Sequence, residues 1–149
     1  MTFEGNRQYD PKIAGILETS LYVTDLARSA KFYAEVLGFE RLDADERITA
    51  MGVGGHQILL LCKKGAAKDW KVPHDGDGQL HVAFAINRDQ LERWESRLAE
   101  CEIAIEHRRT WPRGGHSIYF RDPDAHLVEL AGSVACLLKT QQAFGRLSR

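Results

Sequence analysis

The chain has 149 residues, 44% of them hydrophobic, and a formal net charge of −1; this length and apolar content suit one domain with its own core. The balanced charge excludes an extended basic nucleic-acid surface, and no apolar run reaches membrane-spanning length. The opening "MTFEGNRQYDPK" lacks the layout of a secretory leader, and the scattered Cys62, Cys101 and Cys136 form no C-x-x-C pair. They read as reduced packing thiols of a cytoplasmic protein, not as a zinc knuckle.

In chain order, "ILETSLYV" (16–23) alternates as a strand. In "TDLARSAKFYAEVLGF" the period changes: Leu26, Ala30, Tyr33 and Leu37, with Phe32 and Val36 beside them, form one helical stripe. Asp25 is the expected N-cap and Gly38 the expected residue just past the helix. Three strands follow, "FERLDA", "ITAMGV" and "QILLLCK", the last two joined by "GGH". Then comes a polar connector rich in Gly, Pro and Asp, residues 63–79, whose Trp70 either closes over a cleft or pins a surface loop.

The order of elements then recurs. "LHVAFAI" is a strand, and "RDQLERWESRLAEC" is a helix with Leu91, Trp94 and Leu98 on one face. Asp89 followed by Glu92 has capping-box spacing. "IAIEHRR", "HSIYFRD" and "LVELAG" are again strands. The chain is thus an α+β domain of two βαβββ modules, residues 16–62 and 80–132, followed by a tail or short helix over 133–149.

Alternation separates two faces in each strand. Leu21 and Val23, Val82, Phe84 and Ile86, Ile118 and Phe120, and Val128 and Leu130 form apolar faces for the helices to cover. The opposite faces carry Glu18, Ser20 and Tyr22; His81, Ala83 and Ala85; Ser117, Tyr119 and Arg121; and Leu127, Glu129 and Ala131. If those faces curve together, Glu18, His81 and Glu129 converge, and two carboxylates without a lysine or arginine partner in their strands require a shared proton or a divalent cation. A simply solvated sheet face is the alternative, and it would make the protein an interaction module without a site.

The segments "LETSLYVTDLARSAKFYAEVLGF", "HVAFAI" and "GGHSIYFRDPDAHLVELAG" together resemble the vicinal oxygen chelate superfamily, which includes glyoxalase I, fosfomycin-resistance enzymes, extradiol dioxygenases and bleomycin-binding proteins. The resemblance covers roughly residues 16–132; "FYAEVLGF" and "RDPDAHLVEL" are its most specific parts. It implies an open, eight-stranded, barrel-like cleft around one divalent metal (Mn, Fe, Ni, Co, Zn or Mg). Carried over by position, the metal ligands are Glu18, His81 and Glu129, the residues that alternation had placed on the open faces. Three protein ligands leave positions for water and for a small oxygen-bearing substrate.

The resemblance also implies substrate contacts from Tyr119 and Ser117, and Arg113 in "TWPRGGHS" is a candidate clamp for an anionic group. Glu18 and Glu129 are the candidate catalytic groups, one of them shifting off the metal to act as a base. Where glyoxalase I has a fourth ligand, this chain has Leu59 or Leu60. Where dioxygenases and fosfomycin transferases have their first histidine, it has glutamate. Ala125 replaces the usual turn glycine. His56, His74, His107, His116 and His126 are read as lying outside the ligand set. Family members often form homodimers, sometimes exchanging modules, so Glu18 joins His81 either in cis or across two chains. A glyoxalase-like lyase, transferase or dioxygenase is the leading expectation; a non-catalytic, antibiotic-type binding protein of the same fold is the alternative.

Overall fold

The computed structural model describes residues 11–112 and 114–132. Arg113 and the tail 133–149 lie outside the described residues. In the first module, β1 (Glu18–Val23) leads into α1 (Leu26–Leu37), followed by β2 (Glu40–Ala44), β3 (Ile48–Val53) and β4 (Gln57–Lys63). The second repeats the plan with β5 (His81–Ile86), α2 (Leu91–Glu100), β6 (His107–Thr110), β7 (His116–Arg121) and β8 (Leu127–Gly132). Each module forms its own four-stranded sheet, ordered β1-β4-β3-β2 and β5-β8-β7-β6. β1 runs parallel to β4 and β5 parallel to β8, while the other pairs are antiparallel. Among the described residues, β1 and β5 are therefore edge strands of two open sheets, and the strands do not close into a barrel.

Local chemistry sets the first helix. The Asp25 carboxylate accepts from the Arg28 amide at 3.0 Å, and Gly38 ends the helix in the left-handed region at φ 73°. The second helix starts differently from the expected capping box. A 3-10 turn over Arg88–Gln90 precedes α2, and neither N-cap residue, Asn87 or Gln90, makes a side-chain cap hydrogen bond. The predicted strand 103–109 is also shortened. Only His107–Thr110 pairs with β7, while Ile103 and Ile105 leave the ladder to pack against the core.

The covered faces of both sheets and the helical stripes merge into one apolar cluster. It includes Leu21, Val23, Tyr33, Leu59 and Leu61 from the first module and Leu98, Ile118, Phe120, Val128 and Leu130 from the second. Phe39 meets Phe84 edge to face at 5.0 Å across the module boundary.

Polar contacts fix the same boundary. The buried Tyr33 hydroxyl donates to Asp122 at 3.0 Å. Burial, and then the Asp122 charge and hydrogen bond, push that hydroxyl well above the ordinary phenol range. Asp124 accepts from the Thr24 amide and hydroxyl, Arg28 and Ser29 at 2.7–3.2 Å. Thus the 122–126 turn of the second module docks on the β1–α1 corner of the first, with Ala125 in the left-handed region at φ 63°.

The connector folds back over the first module. The Tyr22 hydroxyl lies 2.7 Å from His74 Nδ1, Trp70 meets His74 edge to face at 5.0 Å, and Gly76 lies against the Tyr22 ring. Trp70 is thereby part of a loop pinned to the end of β1. No helix among the described residues is long and apolar enough to cross a membrane.

Candidate metal centre

Parallel pairing of β5 with β8 sets His81 opposite Leu127 and Ala83 opposite Glu129. His81 and Glu129 therefore stand one step apart diagonally on the same open face. His81 Nδ1 lies 3.0 Å from the Leu127 carbonyl, which can only accept, so Nδ1 carries a proton. His81 Nε2 then faces Glu129 Oε2 at 3.2 Å. In a neutral ring that nitrogen presents a lone pair to a carboxylate, an arrangement relieved by a shared proton or by a cation bound to both. A histidine whose second nitrogen is tied to a backbone carbonyl has the usual posture of a metal ligand. The donor set, one imidazole nitrogen and one carboxylate, fits a divalent ion of borderline or hard character.

Glu129 is nearly buried, its side chain 9% exposed, whereas His81 is half-exposed at 48%. β7 supplies the neighbours. Tyr119, opposite Glu129 in the antiparallel register, stands beside that carboxylate and stacks near the His81 ring at 6.4 Å. Burial first, then the neighbouring Glu129 carboxylate, raise the Tyr119 hydroxyl above its ordinary value, so it stays protonated as a donor. Ser117 is buried on the same strand and accepts from Trp111 Nε1 at 2.9 Å.

Glu18 stands apart. It is exposed at the start of β1, in the other sheet, and no three His, Cys, Asp or Glu side chains among the described residues are placed to hold one ion. Convergence of Glu18, His81 and Glu129 within one chain is thus not what the fold produces. Alternation reports which face a side chain takes but not which sheet that face belongs to. The position that holds a fourth ligand in glyoxalase I is filled by Leu59, in the core, or Leu60, on the same face as Ser20.

Several neighbours escaped the sequence reading. A cavity of about 440 Å³ beside Tyr119 is lined by Glu106, His107, Arg109, Arg121 and Leu127. Arg109 lies over the Trp111 ring at 3.8 Å, while Arg121 is paired with Glu106 at 2.8 Å. The alternation of "HRRT" could have indicated that His107 and Arg109 share a face. Trp111, by contrast, reaches Ser117 across a turn, and strand periodicity carries no signal for that.

Residues 15–130 match the family model described as the glyoxalase/bleomycin resistance protein/dioxygenase superfamily. Among curated proteins, the metallothiol transferase FosB of Bacillus licheniformis is 33% identical over 125 residues, 83% of this chain and 79% of that protein. Its counterpart from Staphylococcus haemolyticus is 32% identical over 119 residues, 79% of this chain and 83% of that protein. Among solved structures, a lactoylglutathione lyase from Agrobacterium tumefaciens superposes with a TM-score of 0.75 at 30% identity, covering 82% of this chain and 96% of that one. The duplicated βαβββ plan, the docked 122–126 turn and the match across both modules agree, and the chain belongs to the glyoxalase/bleomycin resistance protein/dioxygenase superfamily.

Proposed function

We propose that this protein is a divalent-metal-dependent enzyme of the vicinal oxygen chelate type, working as a homodimer. His81 and Glu129 would hold the ion together with Glu18 of the partner subunit. The observation that carries the reading is the His81–Glu129 pair at 3.2 Å, with Nδ1 tied to the Leu127 carbonyl. The exposed Glu18 on an edge strand supports completion across two chains. A bound Mn, Fe, Ni, Co, Zn or Mg ion would supply Lewis-acid stabilisation of negative charge developing on a substrate oxygen.

The protein's own groups do the rest. Tyr119 keeps its proton beside Glu129 and can donate to a substrate oxygen. Arg109, beside His107 on the wall of the adjoining cavity, would attract an anionic group of the substrate, with Ser117 and Arg113 as further candidate contacts. Glu18 or Glu129 would be the group to take up a proton, by shifting off the metal. The curated relatives are named metallothiol transferases, and transfer of a thiol to a small oxygen-bearing electrophile is the reaction class we favour.

Incubation of metal-stripped protein with Mn, Fe, Ni and Zn, followed by measurement of bound metal, tests the reading. One ion per chain is expected, with binding lost in His81→Ala. A wild-type chain that stays metal-free would instead favour a non-catalytic binding protein of the same fold.

A further inference from the structure

We propose that His126 is a positioning residue for the metal-binding pair, an inference that rests on the reading of His81 as a ligand. His126 is fully buried, and every polar atom it has is engaged. Its Nδ1 accepts from the Leu80 amide at 3.0 Å, so Nδ1 is bare. Its Nε2 then carries the proton and donates to the Tyr22 carbonyl at 2.8 Å. Only one neutral tautomer satisfies both partners.

One partner directly precedes the strand that bears His81, and the other lies on the strand that bears Glu18. Leu80 immediately precedes His81, and its amide lies before the β5–β8 ladder, which begins with His81 opposite Leu127. The imidazole supplies the acceptor that a strand neighbour would otherwise provide. The Leu80 carbonyl meanwhile accepts from the Leu127 amide at 2.8 Å. The residue before His81 is therefore held at both its N–H and its C=O by residues 126–127. From that fixed entry the His81 ring reaches the Leu127 carbonyl and turns Nε2 toward Glu129, three residues beyond His126 in the chain. Through its Nε2 the His126 ring ties this entry to β1, the strand that begins at Glu18.

A buried histidine can also serve stability alone, and its two nitrogens allow the roles to be separated. Asparagine places an oxygen near the Nδ1 position and keeps the Leu80 bond, whereas glutamine places an amide nitrogen near the Nε2 position and keeps the Tyr22 bond. The test is titration of the metal-free full chain with Ni2+ by calorimetry, beside thermal melting of wild type, His126→Gln and His126→Asn. The expected result is binding weakened about 10-fold or more in His126→Gln, the range typical when support of a ligand is removed. His126→Asn should stay within about threefold of wild type, because the support of the ligand is retained.

Wild-type affinity in a folded His126→Gln protein, with wild type itself binding Ni2+, overturns this inference alone. Wild type that takes up no Ni2+ overturns the metal reading and this inference with it. Should His126→Gln not fold, His126→Asn decides, since equally large weakening there contradicts the assignment. In wild type, 15N resonances should show Nε2 protonated and Nδ1 bare, with a slowly exchanging Leu80 amide; rapid exchange of that amide also overturns it.

Discussion

Asp124→Asn is the sharpest probe of how the second module is docked on the first. The carboxylate is nearly buried, 4% exposed, and accepts from Thr24 twice, from Arg28 Nη2 at 3.2 Å and from Ser29 at 3.2 Å. Asparagine keeps one oxygen for Thr24 but turns an NH2 group toward Arg28 and Ser29. Losing a charge-assisted hydrogen bond costs about 1.5–3 kcal/mol. Arg28 is 49% exposed and regains water, which favours the lower part of that range, about 2 kcal/mol. With a urea m-value of about 1.5 kcal/mol/M, the unfolding midpoint should fall by about 1.3 M at pH 7.

The pH dependence has a definite sign. Burial opposes the charged form of Asp124, yet the bonds from Thr24, Arg28 and Ser29 outweigh it and hold the carboxyl below its ordinary value. Its contribution is then complete above the unfolded value, about pH 4, and disappears as pH falls through the lower folded value. The gap between wild type and Asp124→Asn should narrow in acid. An unchanged midpoint at pH 7, or a gap that persists undiminished at low pH, would refute the assignment of Asp124 as a charged inter-module anchor.

Two further substitutions address the backbone and the connector. Ala125→Gly relieves a left-handed conformation worth about 1–2 kcal/mol and returns about 0.4–1 kcal/mol of unfolded-state entropy. The melting temperature should therefore rise, by about 2 °C, and a fall would contradict the strain reading. Gly76→Ala places a methyl group into the Tyr22 ring and should lift the connector from β1. A loss of about 1–3 kcal/mol is expected, with a change in Trp70 emission as the His74 contact shifts; unaltered stability and emission would show that the loop does not rest on Tyr22.

Much of the fold was legible because local signals and long-range packing agreed. Asp25 and Gly38 delimit α1 as their chemistry requires, and the apolar alternation of β5, β7 and β8 predicts which residues enter the core. The same alternation put His81 and Glu129 on one face, and the register then brought them within contact. What stayed hidden depends on partners distant in sequence. The capping box at Asp89 lost to a 3-10 turn, and Ile103 and Ile105 gave up strand pairing for burial. Nothing in periodicity shows that β1 and β5 edge separate sheets, which is why Glu18 did not join His81 within the chain. His126 looked like a residue merely flanking a strand, yet it is buried between both modules.

Pairwise complementation tests the proposed shared centre most directly. Glu18→Ala and His81→Ala chains, each unable to complete a site alone, are co-expressed and the mixed population is assayed for tight metal binding. If Glu18 acts in the partner's site, half of the randomly formed dimers are mixed, and each contains one undamaged centre. About a quarter of all sites should then bind metal with wild-type affinity, as two-fold symmetry dictates. Recovery of no tight sites in verified mixed dimers would contradict a centre shared between two chains.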